Sequence, residues 1–566
     1  MIARISLPKI LVLNGAWLER KQESILSAAL IITVANIVSS LFGLLRDRVL
    51  ITYFFDTLPM RQSLEAFQLA FQIPDTLFQL IVLGALSAAF IPIFAKLKKQ
   101  DTASAFQLSS IVMNVLLGVF LVASVIVFIW AEPLTIWRTG PGFTPSQIAI
   151  AVKLTRIMLL AQMCFAVSNI LSGILQSFQR FILPAITPVV YNLAIILGVI
   201  AFSHQFGIYS AGIGVVIGAF LHMLIQVPLA YKLGFRFTLS FNLKFPGVKD
   251  LFMLMPPRFL TYGLTQLQDL SLGFFATSLG NLSFLILTLG IRLMAIPIRL
   301  FGVPIGQASL AFLAEEAEDA THRFKTLLIQ SMNQVSFLAL PASVLLLILR
   351  VPIVRLVFGA HNLPWETTLA TGRVVAILAL SVAAQAMTQL LIRGFHALKD
   401  TATPLLITSL VTSFYVFLCS AVIYLTDLGI LGLAIVIGLT GLIEAILLLV
   451  LLNHKVAGLL TKDLLIPQAK ILLCGFLMAI FLYLPFRILD ELVFHTSKTI
   501  ELVGLTLTTA TIGSLVYLYF ALLLDVKELN LVSKAISTAK AWPQSLLKTP
   551  EVVSASPTQS GGLSGD

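Results

Sequence analysis

The sequence that decides the fold occurs twice: IP at 73–74 followed by GALSAAF at 84–90, and IP at 296–297 followed by GQASLAF at 306–312. The offset between the two copies is about 222 residues. A second pair of matching segments lies about 220 residues apart. The first contains Gly173, Gln179-Arg180 and Pro184, and the second contains Gly394, Lys399-Asp400 and Pro404. Chance matches between apolar segments are common, but two such pairs in one order at one offset predict an internal repeat.

This repeat lies in a strongly apolar chain. Hydrophobic residues make up 58% of the 566 residues and charged residues 11%, against roughly a quarter charged in soluble domains. The composition excludes a soluble enzyme, a nucleic-acid-binding domain and a disordered protein. The net charge of +11 then indicates Lys and Arg in loops beside anionic lipid rather than a nucleic-acid partner.

Long apolar runs that could cross a bilayer as helices of about 20 residues occur fourteen times. Strands of a β-barrel would be about ten residues long with alternating polarity, so the sequence predicts an all-α integral membrane protein. The predicted spans are 25–45, 65–95, 105–130, 147–175, 185–203, 209–232, 251–279, 281–313, 327–349, 367–393, 405–425, 429–452, 468–488 and 501–524.

The repeat divides these spans into two six-helix lobes, which run in parallel because six is even, and leaves two C-terminal helices outside. Two parallel repeats around a central substrate site are typical of transporters. The predicted units are a cytoplasmic N-terminal segment at 1–24, an N-lobe at 25–233, a C-lobe at 234–453, a helix pair with its preceding loop at 454–525, and a largely disordered cytoplasmic tail at 526–566.

The basic residues of the loops predict the orientation. Lys and Arg concentrate after the even-numbered spans and in the tail, whereas the third and ninth exits carry Trp130, Trp137 and Trp365. Cytoplasmic loops are rich in Lys and Arg, and Trp favours the membrane interface. Both termini are therefore predicted to be cytoplasmic.

Some ionisable residues fall inside spans, where a charge is costly unless it meets water or a partner. The opening helices of the two lobes hold more cations than anions. Guanidinium groups bind phosphate oxygens bidentately, so this set suits an anionic ligand, with interhelical ion pairs that lock the lobes as the alternative. The cations are Arg46, Arg48, Arg258, Arg292 and Arg299, and the anions are Asp47, Glu65, Asp75 and Asp269.

Two prolines, Pro74 and Pro297, lie mid-span. A proline frees a backbone carbonyl and bends its helix, which predicts either bent helices that line a cavity or passive kinks. The chain has no Walker-type glycine loop, and its three cysteines and seven histidines show no metal-ligand spacing. We therefore expect a transporter rather than an enzyme, without ATP hydrolysis, a metal or a bound cofactor.

Several motifs together resemble the MurJ/MviN family of lipid II flippases. They are SSLFGLLRD at 39–47, EAF at 65–67, AFQIP at 70–74, GALSAAFIP at 84–92, Pro257-Arg258, and GFHALKDTATP at 394–404. The resemblance covers roughly residues 25–525. It implies the multidrug/oligosaccharidyl-lipid/polysaccharide exporter superfamily, with two lobes around a central cavity and alternating access.

The resemblance also implies roles for single residues. Arg46 and Asp47 match the family's Arg-Asp pair, and Arg292 matches an arginine that faces the cavity. Glu65 stands where the family has Asp. The expected diphosphate ligands are Arg46, Arg292, Arg258, Arg48 and Arg299, and the expected gate or ion-pair residues are Asp47, Glu65 and Asp269.

Other positions depart from the family. Ser40 and Phe78 stand where the family has arginines, and Arg48 or Arg299 could compensate. Some members hold sodium with an acid of the seventh helix and partners of the eleventh. Leu272 occupies that seventh-helix position and the eleventh span contains no acid, so a sodium site of that kind is not expected.

The resemblance implies a flippase that moves undecaprenyl-diphosphate-linked peptidoglycan precursor between leaflets of the bacterial cytoplasmic membrane. A flippase for another polyprenyl-linked glycan, such as an O-unit or teichoic acid precursor, is the first alternative. A multidrug/cation antiporter of the same superfamily and an inactive scaffold are the others. The expected partners are the lipid-linked glycan and the bilayer, and the expected state is a monomer. Coupling to the membrane potential or to a monovalent ion gradient would drive transport.

Overall fold

The structure is a computed structural model, and it describes residues 21, 25–83, 90–253, 256–316, 322–359, 363–456, 458–493 and 499–531. The predicted N-terminal segment, most of the predicted tail and residues 84–89 of the first repeat motif lie outside the described residues. Within the described ranges, every regular element is a helix, which confirms the predicted all-α class.

Twenty-two α-helices, three of them followed directly by a π-helical turn, make up the described part of the chain. They are α1 Ile25–Phe54, α2 Leu58–Ala70, α3 Gln72–Phe78 with π turn Gln79–Leu83, α4 Phe90–Gln100, α5 Thr102–Ile129, α6 Ala131–Arg138, α7 Pro145–Ser177, α8 Ile182–Phe206, α9 Tyr209–Leu224, α10 Val227–Lys232, α11 Val248–Met253, α12 Pro256–Ser278, α13 Ser283–Pro297 with π turn Ile298–Gly302, α14 Val303–Glu315, α15 His322–Ile348, α16 Arg350–Phe358, α17 Trp365–Ala379, α18 Val382–Ala397, α19 Ala402–Leu425, α20 Gly429–Val456, α21 Lys462–Ile488 with π turn Leu489–Val493, and α22 Thr499–Leu523.

Ten of the described segments are long and apolar enough to cross a membrane, and the pair α17–α18, bent by 47°, adds an eleventh. The three other predicted spans correspond to α1, to the interrupted series α2–α4 and to α12. The predicted count of fourteen is therefore consistent with this architecture, although it exceeds the ten or eleven described segments that are long and apolar enough to cross a membrane.

The internal repeat has a structural counterpart in two turns. Gln179, between α7 and α8, and Lys399, between α18 and α19, both adopt the left-handed conformation, with φ of 60° and 59°. The same backbone hydrogen bond closes each turn: Arg180 donates to Leu175 at 2.9 Å, and Asp400 donates to Phe395 at 3.0 Å. Each half also interrupts a long span with a π-helical turn, Gln79–Leu83 in the first half and Ile298–Gly302 in the second.

The core consists of four apolar clusters. One lies within the N-lobe around α5 and α7, one within the C-lobe around α15 and α18, and one between α15 and the last pair, α21 and α22. The fourth and largest cluster spans both lobes and buries Phe55, Phe284 and Phe358. Burial of this apolar surface holds the two lobes together.

The lobes meet along two crossed seams. Helix α6 of the N-lobe packs against α12 of the C-lobe, and α16 of the C-lobe packs against α1 of the N-lobe. Each lobe therefore places a short helix on the first span of the other. We call the end of the molecule formed by residues 138–144, 277–282 and 350–359 the gate end.

Candidate functional site

Three charged side chains meet between the lobes. Asp47 of α1 accepts hydrogen bonds from the neighbouring Arg46, at 3.1 Å from Nε and 2.9 Å from Nη2. The other carboxylate oxygen of Asp47 pairs with Nη1 of Arg292, which comes from α13 of the other lobe. One carboxylate therefore joins two guanidinium groups across the interface.

This cluster carries one positive charge in excess. The Asp47 side chain is 3% exposed, whereas the Arg46 and Arg292 side chains are 20% and 31% exposed. The carboxylate is thus buried between cations that each keep a surface open. Such an arrangement can accept further oxyanions, because each planar guanidinium still has donors that Asp47 does not use.

The helix around this cluster is longer than the sequence predicts. Arg46 and Asp47 do not close the first span, since α1 continues to Phe54. A second helix helps to orient Arg46, because the side-chain oxygen of Asn192 on α8 accepts a hydrogen bond from Arg46 Nη1 at 3.2 Å. Asn192 is a contributor that sequence reasoning missed.

The other predicted arginines lie elsewhere. Arg48 points to the gate end and donates to the backbone oxygen of Leu356, on α16, at 2.9 Å. Arg299 lies in the π-helical turn after α13 with an exposed side chain. Arg258 belongs to α12, but its side chain is outside the described part of the structure. Of the four predicted arginines whose side chains the structure describes, it therefore brings together two.

Glu65 joins the two lobes by hydrogen bonds in place of the predicted ion pair. Within the described residues it forms no ion pair. It accepts hydrogen bonds from the Gln147 side chain at 2.8 Å and from the backbone N–H of Leu285 at 3.3 Å. Leu285 lies in the first turn of α13, so a carboxylate of the N-lobe caps a helix of the C-lobe, where the helix dipole favours negative charge.

The second predicted span breaks at Phe71, just before Pro74. A proline cannot donate to the carbonyl four residues earlier, here that of Ala70. The hydroxyl of Thr155 on α7 donates to this oxygen at 3.3 Å. Arg138, the last residue of α6, donates to the preceding carbonyl of Leu69 at 3.1 Å. Pro297 precedes the corresponding π turn of the second half.

A hydrogen bond outside the charged cluster also joins the lobes. The Thr76 hydroxyl of α3 donates to the side-chain oxygen of Gln266 on α12 at 2.7 Å. One residue earlier, Asp75 accepts a hydrogen bond from Gln79 at 2.7 Å. The face of α3 toward α12 is therefore polar, as expected for a surface that meets water when the lobes part.

The gate end closes by backbone contact. The N–H of Gly140 donates to the Thr277 hydroxyl at 2.9 Å. A Cβ atom at Gly140 would lie 2.5 Å from Cα of Ser278, and one at Gly142 would lie 2.5 Å from the backbone nitrogen of Gly280. Only glycine allows the two lobes to approach this closely.

A separate polar cavity of about 210 Å³ lies within the C-lobe. Its lining includes two carboxylates, Asp269 of α12 and Glu444 of α20, with Gln385 and Tyr415. Glu444 accepts a hydrogen bond from Thr408 at 3.0 Å. Asp269 therefore lies in this cavity rather than in the charged cluster between the lobes. The cavity is therefore smaller than most sites for drug-sized molecules, which usually exceed about 300 Å³.

The implied sodium site does not fit these residues. Leu272 faces the same cavity as Asp269, and the eleventh predicted span contributes Val411 and Tyr415, which bring no carboxylate. In the described ranges, no three His, Cys, Asp or Glu side chains lie close enough to share a metal ion.

The fold and the charged interface define a multi-pass membrane transporter built of two helical lobes. A family model described as lipid II flippase MurJ matches residues 52–526. The chain belongs to the lipid II flippase MurJ family, which confirms the resemblance found in the sequence.

Relatives agree with this assignment. The lipid II flippase MurJ of Burkholderia cenocepacia is 26% identical over 437 residues, which are 76% of this chain and 84% of the relative. The probable lipid II flippase MurJ of Rhizobium meliloti is 27% identical over 501 residues, 86% of this chain and 91% of the relative.

Solved structures share the fold. The lipid II flippase MurJ in an inward closed conformation has a TM-score of 0.72 at 23% identity and covers 87% of this chain and 98% of its own. An inward-facing multidrug resistance transporter of the MATE family, in the MOP superfamily, has a TM-score of 0.62 at 16% identity and covers 76% and 98%.

Proposed function

We propose that this chain turns lipid II, the polyprenyl-diphosphate-linked peptidoglycan precursor, from the inner to the outer leaflet of the bacterial cytoplasmic membrane by alternating access. The family of the chain supports the proposal, and so does the chemistry of the interface. A diphosphate with its sugar headgroup cannot cross hydrocarbon unaided. A cationic cleft that opens to one leaflet at a time lowers this barrier.

The cluster of Arg46, Asp47 and Arg292 is the observation that carries the proposal. Asp47 neutralises one of the two guanidinium groups, and the remaining positive charge sits between the lobes. A diphosphate that binds both arginines would compete with Asp47 for their donors. Substrate binding would in this way loosen the ion pair that joins α1 to α13 and favour separation of the lobes.

The orientation and the driving force belong to the same proposal. The lysine-rich loops would lie in the cytoplasm and the gate end would face outward, in accord with the positive-inside rule. Both termini would then be cytoplasmic, and the protein would work as a monomer. The membrane potential or a monovalent ion gradient would supply the energy, and no cofactor would be required.

Complementation tests the proposal. Arg46→Ala and Arg292→Ala variants of the full chain are expected to fail to restore growth when the host's own lipid II flippase is depleted. Arg323→Ala is the matched control, because Arg323 is 76% exposed and pairs with Glu316 at the surface. Full growth with both cluster variants, at normal membrane levels, would refute the assigned roles.

A flippase for another polyprenyl-linked glycan is the second candidate, and Phe78 favours it. Phe78 stands where the family has an arginine, and it is 8% exposed and packs against Phe165 in the N-lobe core. This position therefore cannot contact a headgroup. Vesicles that contain lipid II or an O-unit lipid decide between the candidates, since the proposal requires faster movement of lipid II.

A further inference from the structure

Among the residues that the structure describes, Arg138 is a buried cation without a carboxylate partner. Arg138 is 3% exposed, and no acid lies within ion-pair distance of it in the described ranges. Its Nε hydrogen has no acceptor there either. Buried charges are normally paired, and the charged cluster of Asp47 neither contacts Arg138 nor explains it.

The hydrogen bonds that Arg138 does make all lie within the N-lobe. Nη1 donates to the backbone oxygen of Leu69, two residues before the helix break at Phe71, and Nη2 donates to the side-chain oxygen of Gln72. These neutral acceptors hold the guanidinium in place between α2 and α3 but leave its charge uncompensated. Arg138 would therefore stay with the N-lobe when the lobes part.

The cover over Arg138 comes from the other lobe. Gly273 of α12 packs against it, so closely that a Cβ atom there would lie 3.2 Å from Nη2 of Arg138 and 2.7 Å from the side-chain oxygen of Gln72. Because α12 belongs to the C-lobe, opening of the gate end removes this cover. The guanidinium then faces the cleft, with Nη2 on the side that Gly273 covers while the gate end is shut.

We propose that Arg138 is a second diphosphate site, closed by Gly273 while the gate end is shut and available to the diphosphate of the lipid-linked glycan once the gate end opens. The inference rests on the proposed function and adds a second binding site for the diphosphate, nearer to the gate end than Arg46 and Arg292. A guanidinium held by two neutral acceptors keeps its charge and its Nε donor for an oxyanion. Binding there stabilises the open gate end and draws the diphosphate away from the Asp47 cluster.

A thiol at the gate end reports the opening. Ser278 faces Gly140 across the closed contact, so Ser278→Cys, with Cys164, Cys419 and Cys474 replaced by Ala, provides one labelling site. The full chain in lipid nanodiscs is treated with a maleimide. Three additions are compared: undecaprenyl diphosphate in the bilayer, inorganic diphosphate in solution, and neutral undecaprenol in the bilayer.

Undecaprenyl diphosphate is expected to raise the labelling rate about threefold, a population shift toward the open state, and undecaprenol is expected to leave it unchanged. The rise should be clearly smaller in Arg138→Gln, in which only the Asp47 cluster can still bind the diphosphate, and should be largely kept in Arg138→Lys, which retains the charge. Arg350→Gln is the matched control, an exposed arginine at the same end that donates to Leu347 of its own lobe. It should respond like the parent.

Three results would overturn the inference. Undecaprenyl diphosphate could raise the labelling rate equally in Arg138→Gln and the parent, or it could leave the rate in the parent unchanged. The third is a rate that rises with inorganic diphosphate but not with undecaprenyl diphosphate. A purely structural role of Arg138 predicts that Arg138→Gln changes the labelling rate without additions but keeps the response. Lipid II flipping by the parent in vesicles is measured separately. Its absence would refute the proposed function, whereas the labelling response would still test Arg138.

Discussion

At the scale of single residues, the charge balance around Asp47 makes a sharp prediction. Asp47→Asn keeps the side-chain volume but leaves Arg46 and Arg292 without their anion. Removal of one partner from a buried ion pair costs about 3–5 kcal/mol, so we expect a clear fall in thermal stability and loss of complementation. Thermal unfolding of the detergent-solubilised chain measures the first effect.

A second substitution separates charge from shape at this site. Adding Arg292→Gln to Asp47→Asn removes one of the two unpaired cations, and the double variant should regain part of the stability without regaining transport. Asp427→Asn, at an exposed loop position, serves as the control and should leave both properties unchanged. If Asp47→Asn unfolds at the parental temperature, the ion pairs contribute little.

Glu65 gives a prediction of the opposite kind, since it acts as a cap and not as an ion-pair partner. Glu65→Ala removes the acceptor of Gln147 and of the Leu285 N–H, and the loss of a cap costs about 0.5–2 kcal/mol. Glu65→Gln keeps one acceptor oxygen and should lose less. Thermal unfolding of both, beside the exposed Glu132→Ala, checks the order.

Residue roles differ in how far the sequence could reveal them. Arg46, Asp47 and Arg292 stand out because charge inside an apolar span is expensive and their motifs match the family. Thr155 and Gln147 could not be found in this way, because their roles depend on where Pro74 opens a helix and on which neighbour packs there. One indication of Arg138 was present in the sequence. Basic residues concentrate after the even-numbered spans, whereas Arg138 follows the third.

At the scale of elements, the repeated left-handed turns predict a gain in stability. Gln179 and Lys399 pay the steric cost of a left-handed conformation, which is about 1–2 kcal/mol for residues other than glycine. Gln179→Gly and Lys399→Gly should therefore raise the thermal unfolding temperature slightly. The matched Gln179→Ala and Lys399→Ala retain a Cβ and should not.

An equal shift of the unfolding temperature at both turns would support the structural equivalence of the two repeated turns. A fall in stability with glycine at either position would mean that unfolded-state entropy outweighs the strain there. The turns themselves were predictable, because Gly173 and Gly394 precede matching turn sequences. The π-helical turns were not, since a local widening of a helix leaves no periodicity in the sequence.

At the scale of the whole molecule, the close contact at the gate end predicts how the lobes can be forced apart. Gly142→Ala places a methyl group 2.5 Å from the backbone nitrogen of Gly280, so the two lobes must separate there. We expect faster maleimide labelling of Leu279→Cys in a chain without other cysteines. Gly43→Ala is the control, because nothing lies within 4 Å of the added atom.

Labelling that does not change in Gly142→Ala would show that the loops adjust without lobe separation. The overall class and the pairing of two lobes were predictable, because apolar run length and the repeat are properties of the chain itself. The crossed packing of α6 on α12 and α16 on α1 was not, since it depends on the relative position of two separately formed bundles.

The glycine contact also bears on the electrical tightness of the membrane. Where backbone lies against backbone at Gly142 and Gly280, no hydrated ion or chain of water molecules fits between the lobes. A bilayer that contains many copies of the closed protein would hold its voltage as well as one without them. The same small residues that let the lobes close would thus spare the cell a continuous loss of protons between transport cycles.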